Sequence, residues 1–210
     1  MDYRFNIALI YDFDGTIADS YPYFTRALYL TLEHYGMHDT YESVLFHLKK
    51  SVRHAFRHYA FENRAEAKKI MYDIYHEIAL KEEGPIPGAA EALAFAREHG
   101  KRNFLYTHSD EFPRILLEKW GLLSEFTFII DSTMGFPSKP SPDALNYLCK
   151  HFSLDRDRSL MVGDRDIDVL AGLNAGMHGC LFDDGHFYDD FECEHTIRSL
   201  FEMPGIIGEN

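Results

Sequence analysis

Several protein classes are excluded by what this chain lacks. Its three cysteines, Cys149, Cys180 and Cys193, lie too far apart for a metal-binding pair or a disulfide framework, which reads as a reducing, cytoplasmic setting. Positive charge is scarce. Lys and Arg number 21 against 34 Asp and Glu, for a net charge of -13. Phosphate backbones and anionic lipid surfaces demand the opposite balance, so neither nucleic acid nor membrane is an expected partner. No apolar run approaches the length of a bilayer span, and the opening MDYRFN has no signal-peptide pattern. Internal repeats and low-complexity segments are also absent. What remains is ordinary globular composition, 46% hydrophobic and 26% charged over 210 residues. That length builds one large core, or a core with a satellite domain, in a monomer or weak dimer.

The organising stretch is Leu9–Ser20, LIYDFDGTIADS. A short apolar run from Ile7 to Tyr11 ends abruptly at Asp12, as a buried parallel strand does. Strand alternation puts Asp12 and Asp14 on one side and turns Phe13 into the core. Two carboxylates at one strand tip repel each other, and a hard divalent cation such as Mg²⁺ offsets them well. Taken alone, the motif fits a solvated acidic turn equally well.

From Pro22 to about Glu83 the spacing is helical. Stripes at Phe24–Tyr35, Leu45–Tyr59 and Ile70–Ile78 predict three amphipathic helices. Glu83-Gly84-Pro85-Ile86-Pro87-Gly88 breaks the pattern. Strands then alternate with helices: strands at Arg102–Tyr106, Phe126–Ile130, Leu160–Val162 and His178–Phe182, helices at Ala89–His99, Phe112–Trp120, Ser141–His151 and from near Ile167 to Asn174. This alternation predicts an α/β fold, a Rossmann-like three-layer α/β/α core on a parallel sheet, with a small all-helical domain inserted after the first strand. The expected domains are 1–17 with 86–210 for the core and 18–85 for the insert. His178–Phe182 is expected to be the last core strand, and the acidic segment after Asp183 receives no role. Ligands of such sheets bind beyond the carboxyl ends of the strands, where Asp12, Thr107, Lys139 and Asp164 fall.

Together, DFDGTIADS, YTHSD, SKPSPD and GDRDIDVLAG resemble the motifs of the haloacid dehalogenase-like hydrolase superfamily, over nearly the whole chain and in the right order. The helical insert is similar to the cap domain of the branch containing phosphoglycolate phosphatase and β-phosphoglucomutase. The resemblance implies a Mg²⁺-dependent phosphatase acting on a small phosphorylated metabolite. Asp12 would be the nucleophile, forming an aspartyl-phosphate, and Asp14 the acid and base that serves the leaving alkoxide and then water. Thr107 and Lys139 would hold the transferring phosphate, with Lys139 also keeping Asp12 ionised. Asp12, the Asp14 backbone carbonyl and Asp164 would bind the metal, and Asp168 would orient a metal-bound water. Substrate-binding candidates are Thr16, Ser109, His108 and, in the insert, Arg53 and Arg57 from the basic run Lys49–His58. His108 stands where the family more often has Asn, and either contacts phosphate or packs. Arg165 stands where a small polar residue is common, and either narrows the entrance or pairs with Asp166. His54 and His58, like His34 and His38, have the i, i+4 spacing of zinc ligands, yet no Cys or third His completes either pair. A phosphomutase of the β-phosphoglucomutase type shares every motif and is the alternative. A dehalogenase has no use for Asp14, and a non-catalytic binding protein has no use for the full set.

Overall fold

A computed structural model describes residues 8–208. The chain divides into two compact units, Met1–Ala18 with Pro85–Asn210, and Asp19–Gly84.

The first unit is built on a six-stranded, all-parallel sheet. Its strands are β1 (Ala8–Tyr11), β2 (Arg102–Tyr106), β3 (Phe126–Ile130), β4 (Leu160–Gly163), β5 (His178–Phe182) and β6 (His195–Ile197), in the order β3-β2-β1-β4-β5-β6. Residues of β1 and β4 are buried throughout, as strands covered on both faces must be. Side chains from alternate positions, Ala8 and Ile10, Phe104 and Tyr106, pack with Ile130, Met161, Leu145, Leu148 and Ala171 in one core cluster. The chain adds strands outward on one side of β1, then returns across it to add β4 to β6 on the other. The order therefore reverses between β1 and β4, and the crevice beyond their carboxyl ends is the switch point where such sheets hold ligands. The expected last strand, β5, is not the last. The segment after Asp183 returns to pair Cys180–Phe182 with His195–Ile197, a strand too short to announce itself by periodicity.

The second unit is helical: α1 (Tyr21–His34), α2 (Tyr41–Lys50), α3 (Val52–His58) and α4 (Arg64–Glu82). Phe24 of α1 stacks on Tyr75 of α4 with ring centroids 3.8 Å apart, joining the two longest helices through their apolar faces. The single stripe expected over Leu45–Tyr59 is two helices, because Ser51 interrupts it. Its backbone is extended (φ 174°, ψ 156°), its N–H closes α2 on the His47 carbonyl, and its hydroxyl accepts from His54 N at 2.9 Å to start α3.

The remaining helices belong to the sheet unit: α5 (Ala89–Glu98), α6 (Phe112–Lys119), α7 (Asp143–Phe152), α8 (Asp166–Asn174) and α9 (Met203–Gly208). No helix among the described residues is long and apolar enough to cross a membrane.

Candidate active site

Asp12 follows β1 directly, its N–H still bonded to the Val162 carbonyl of β4 at 2.9 Å. The chain then closes a tight turn in which the Phe13 carbonyl accepts the N–H groups of Thr16, Ile17 and Ala18. Gly15 supplies the positive φ (78°) that this turn needs. Phe13 is buried and stacks on Trp120, as strand alternation predicts. Thr16 is fully buried within the turn, and its Oγ1 makes no hydrogen bond among the described residues. Its N–H helps to close the loop by donating to the Phe13 carbonyl.

Lys139 is the centre of the electrostatics. Its Nζ donates to Asp12 Oδ1 at 2.7 Å and to Asp168 Oδ1 at 2.8 Å, and lies 4.6 Å above the Tyr106 ring. All three side chains of this ion-pair chain are almost completely buried. Burial alone pulls an ammonium down, but Asp12 and Asp168 more than offset it and hold Lys139 above the ordinary lysine value. The second oxygen of Asp168 accepts the backbone N–H of Arg165 at 3.1 Å, so this carboxylate also ties down the start of α8.

The metal candidates converge. Ligand atoms of Asp12, Asp164 and Asp168 all lie within 4.8 Å of one another, and all three residues are buried. Asp12 Oδ2 accepts no hydrogen bond among the described residues. A buried carboxylate oxygen left that way is costly unless a cation meets it. Hard oxygen donors in this number suit a divalent cation of the Mg²⁺ type, so the residues fit the ion that the sequence implies. Gly163 is needed for the convergence: a Cβ there would stand 2.2 Å from Asp168 Cβ. Arg165, expected at the entrance or on Asp166, is turned inward instead. Its guanidinium is 3.8 Å from Asp12 Oδ2 and 4.0 Å from both Asp164 Oδ1 and Asp168 Oδ2.

A second group forms around β2. Ser109 Oγ donates to Asp14 Oδ2 at 3.0 Å, and Ser109 N donates to Thr107 Oγ1 at 3.0 Å. This links the acid–base candidate to the loop expected to hold phosphate. His108 has a specific partner: its Nε2 accepts the backbone N–H of Lys139 at 3.0 Å, which places the ring proton on Nδ1. Partial burial, then the charges of Lys139 and Arg165, push this imidazole down to about 4. Tyr106 braces the same loop, donating through its hydroxyl to the Pro137 carbonyl at 3.3 Å. The sequence offered only its aromatic character, which reads as core.

The segment after β5 also reaches the site. Asp183 accepts from the N–H groups of Phe187 and Tyr188 and pairs with Arg198 at 2.8 Å. The Tyr188 phenol is pushed up to about 12 by burial and by the nearby carboxylates of Asp166 and Asp164.

Arg53 and Arg57 are exposed on α3 of the helical unit. The third histidine that the sequence reading lacked is present in that unit. His47 lies 3.1 Å from His54 (Nδ1 to Nε2) and stacks on His58 with centroids 3.7 Å apart. Face-to-face rings do not converge on a common ligand point, and the acidic triad is the metal-competent group of three found among the described residues.

Comparison with known proteins agrees with this geometry. Residues 9–182 match the family model of haloacid dehalogenase-like hydrolases. A phosphoglycolate phosphatase from Nitrosococcus oceani is 25% identical over 216 aligned positions, covering 96% of each chain. A pyrimidine 5'-nucleotidase from Escherichia coli is 31% identical over 127 residues, 59% of this chain and 56% of that one. The crystal structure of a predicted phosphoglycolate phosphatase from Haemophilus somnus superposes with a TM-score of 0.80 at 18% identity, covering 98% and 99% of the two chains.

Proposed function

Because the chain belongs to the haloacid dehalogenase-like hydrolases, we propose that it is a Mg²⁺-dependent phosphatase that hydrolyses a small phosphomonoester through an aspartyl-phosphate. The observation that carries this reading is Asp12 itself. One of its oxygens is fixed by Lys139 and the other accepts no hydrogen bond among the described residues, at the switch point of the sheet.

In the first step Asp12 attacks phosphorus, and the bond from phosphorus to the ester oxygen breaks in line with the attack. Asp14 gives its proton to the departing alkoxide, with Ser109 orienting the carboxyl through Oδ2. Asp14 then takes a proton from the water that attacks the phosphoaspartate, which releases inorganic phosphate and restores Asp12. Lys139 and Thr107 steady the equatorial oxygens, where preorganised positive charge and hydroxyls act most strongly. Asp12, the Asp14 backbone carbonyl and Asp164 would hold Mg²⁺, with Asp168 placing one of its waters. When bound, the ion withdraws negative charge from the phosphate oxygens. Both oxygens of Asp168 are already engaged by Lys139 and Arg165, which supports that indirect part.

The substrate class follows the named relatives: phosphoglycolate, sugar phosphates and pyrimidine nucleotides form the panel to test. Phosphate release in MgCl₂, its loss in EDTA and its recovery on adding Mg²⁺ are the expected results. Asp12→Asn should reduce turnover by at least about 10⁴-fold, as loss of a covalent nucleophile does, while circular dichroism stays unchanged. Substantial turnover by that variant would rule out the aspartyl-phosphate, and isomerised sugar phosphate without free phosphate would identify a mutase instead.

A further inference from the structure

Tyr106 is the last residue of β2 and is buried with Phe104 and Ile130 in the core cluster. Its hydroxyl donates to the Pro137 carbonyl at 3.3 Å, so the phenolic end of the ring is engaged by the loop that carries Lys139. What Tyr106 offers Lys139 itself is the face of the ring, whose centroid is 4.6 Å from Nζ.

An ammonium has three N–H bonds to place. Lys139 gives one to Asp12 Oδ1 at 2.7 Å and one to Asp168 Oδ1 at 2.8 Å. Its side chain is fully buried, so bulk solvent does not take the third. A further carboxylate or carbonyl in that place would bind the N–H lastingly and pull Nζ away from the two oxygens it bridges. The negative face of an aromatic ring behaves differently. It attracts a cation, most strongly where both are desolvated, yet it brings no lone pair to compete with a carboxylate. It also yields the N–H when a stronger, charged acceptor such as a phosphate oxygen arrives.

We propose that Tyr106 is a positioning residue of the reaction: its ring face seats the Lys139 ammonium against Asp12 and keeps the third N–H in reserve for an oxygen of the transferring phosphate. The inference rests on the phosphatase reading above and adds to it a residue that acts through Lys139.

Replacing Tyr106 by phenylalanine, and then by phenylalanines carrying one, two and three ring fluorines, tests it. Fluorine drains the π face and leaves the shape of the ring almost unchanged, so a residue that only fills space gives no trend. Tyr106→Phe should keep nearly the full kcat. Along the series kcat should fall stepwise to about tenfold below that of Tyr106→Phe, the scale of a desolvated cation–π contact, while KM moves little. A second readout needs no turnover. In ¹³C–¹H spectra of the resting protein, the Lys139 Hε resonances, assigned by their loss in Lys139→Arg, should lie upfield through the ring current. Tyr106→Leu should return them to the ordinary lysine position, with circular dichroism confirming that the variant is folded. A flat fluorine series in an active enzyme, or Hε resonances that Tyr106→Leu leaves unmoved, would overturn the positioning role alone. Absence of phosphate release from every substrate of the panel would overturn the phosphatase reading together with it.

Discussion

His108 shows how one side chain holds another in place. It accepts the N–H of Lys139, and therefore fixes the loop that delivers the ammonium to Asp12. Its imidazole is held down to about 4, against an ordinary value of 6.5. As pH falls below 6.5, the unfolded chain takes up this proton before the folded protein does. The stability tied to neutral His108 is thus fully present above 6.5 and is lost progressively on acidification toward 4. His108→Asn keeps an acceptor and removes the titration. Urea unfolding measured across that pH window should show a shallower fall in stability for the variant, and an identical slope would detach His108 from the effect. At this scale the positions of the motif residues were legible. Asp12 and Asp164 follow β1 and β4 directly, and Lys139 lies in the loop between β3 and α7. The inward turn of Arg165 and the acceptor role of His108 were not legible, because side-chain direction is decided by partners distant in sequence.

Among the elements, β4 and α8 are joined more tightly than any pattern of hydrophobicity reveals. Gly163 ends the strand, and the first turn of the helix passes so close that an added Cβ would lie 2.2 Å from Asp168 Cβ and 2.4 Å from its Cγ. Gly163→Ala should push α8 away, lengthen the Asp168–Lys139 contact and cost about 1–3 kcal/mol, the usual range for overpacking. Chemical denaturation would measure this, and unchanged stability with unchanged turnover would show that the turn yields freely. Buried parallel strands and glycine-closed helices made the β1 to β5 alternation readable. The break at Ser51 was hidden because α2 and α3 continue one apolar stripe in sequence. The edge strand β6 was hidden because three residues, His195–Ile197, carry no period. Its place is fixed by pairing with β5, with the Asp183–Arg198 ion pair bridging the two strand ends.

For the whole molecule, the -13 charge makes recognition of an anion dependent on locally gathered cations. We propose Arg53 and Arg57, which lie exposed on α3, for that part. Replacing both by Ala should raise KM severalfold for multiply charged monoesters and leave kcat nearly unchanged. Steady-state kinetics at low ionic strength checks this, and an unaltered KM would return them to an ordinary solvated helix face.

The route by which the chain leaves the sheet unit has its own consequence. Ala18 and Pro85 form an antiparallel bridge, and Ile86 N–H bonds to the Ile17 carbonyl at 2.8 Å. Departure and return are adjoining stitches in the backbone, so the sheet registers everything between them as though it were a hairpin. Such a seam accepts any cassette whose two ends meet, so the segment between Ala18 and Pro85 could be lengthened or exchanged with no change to the sheet.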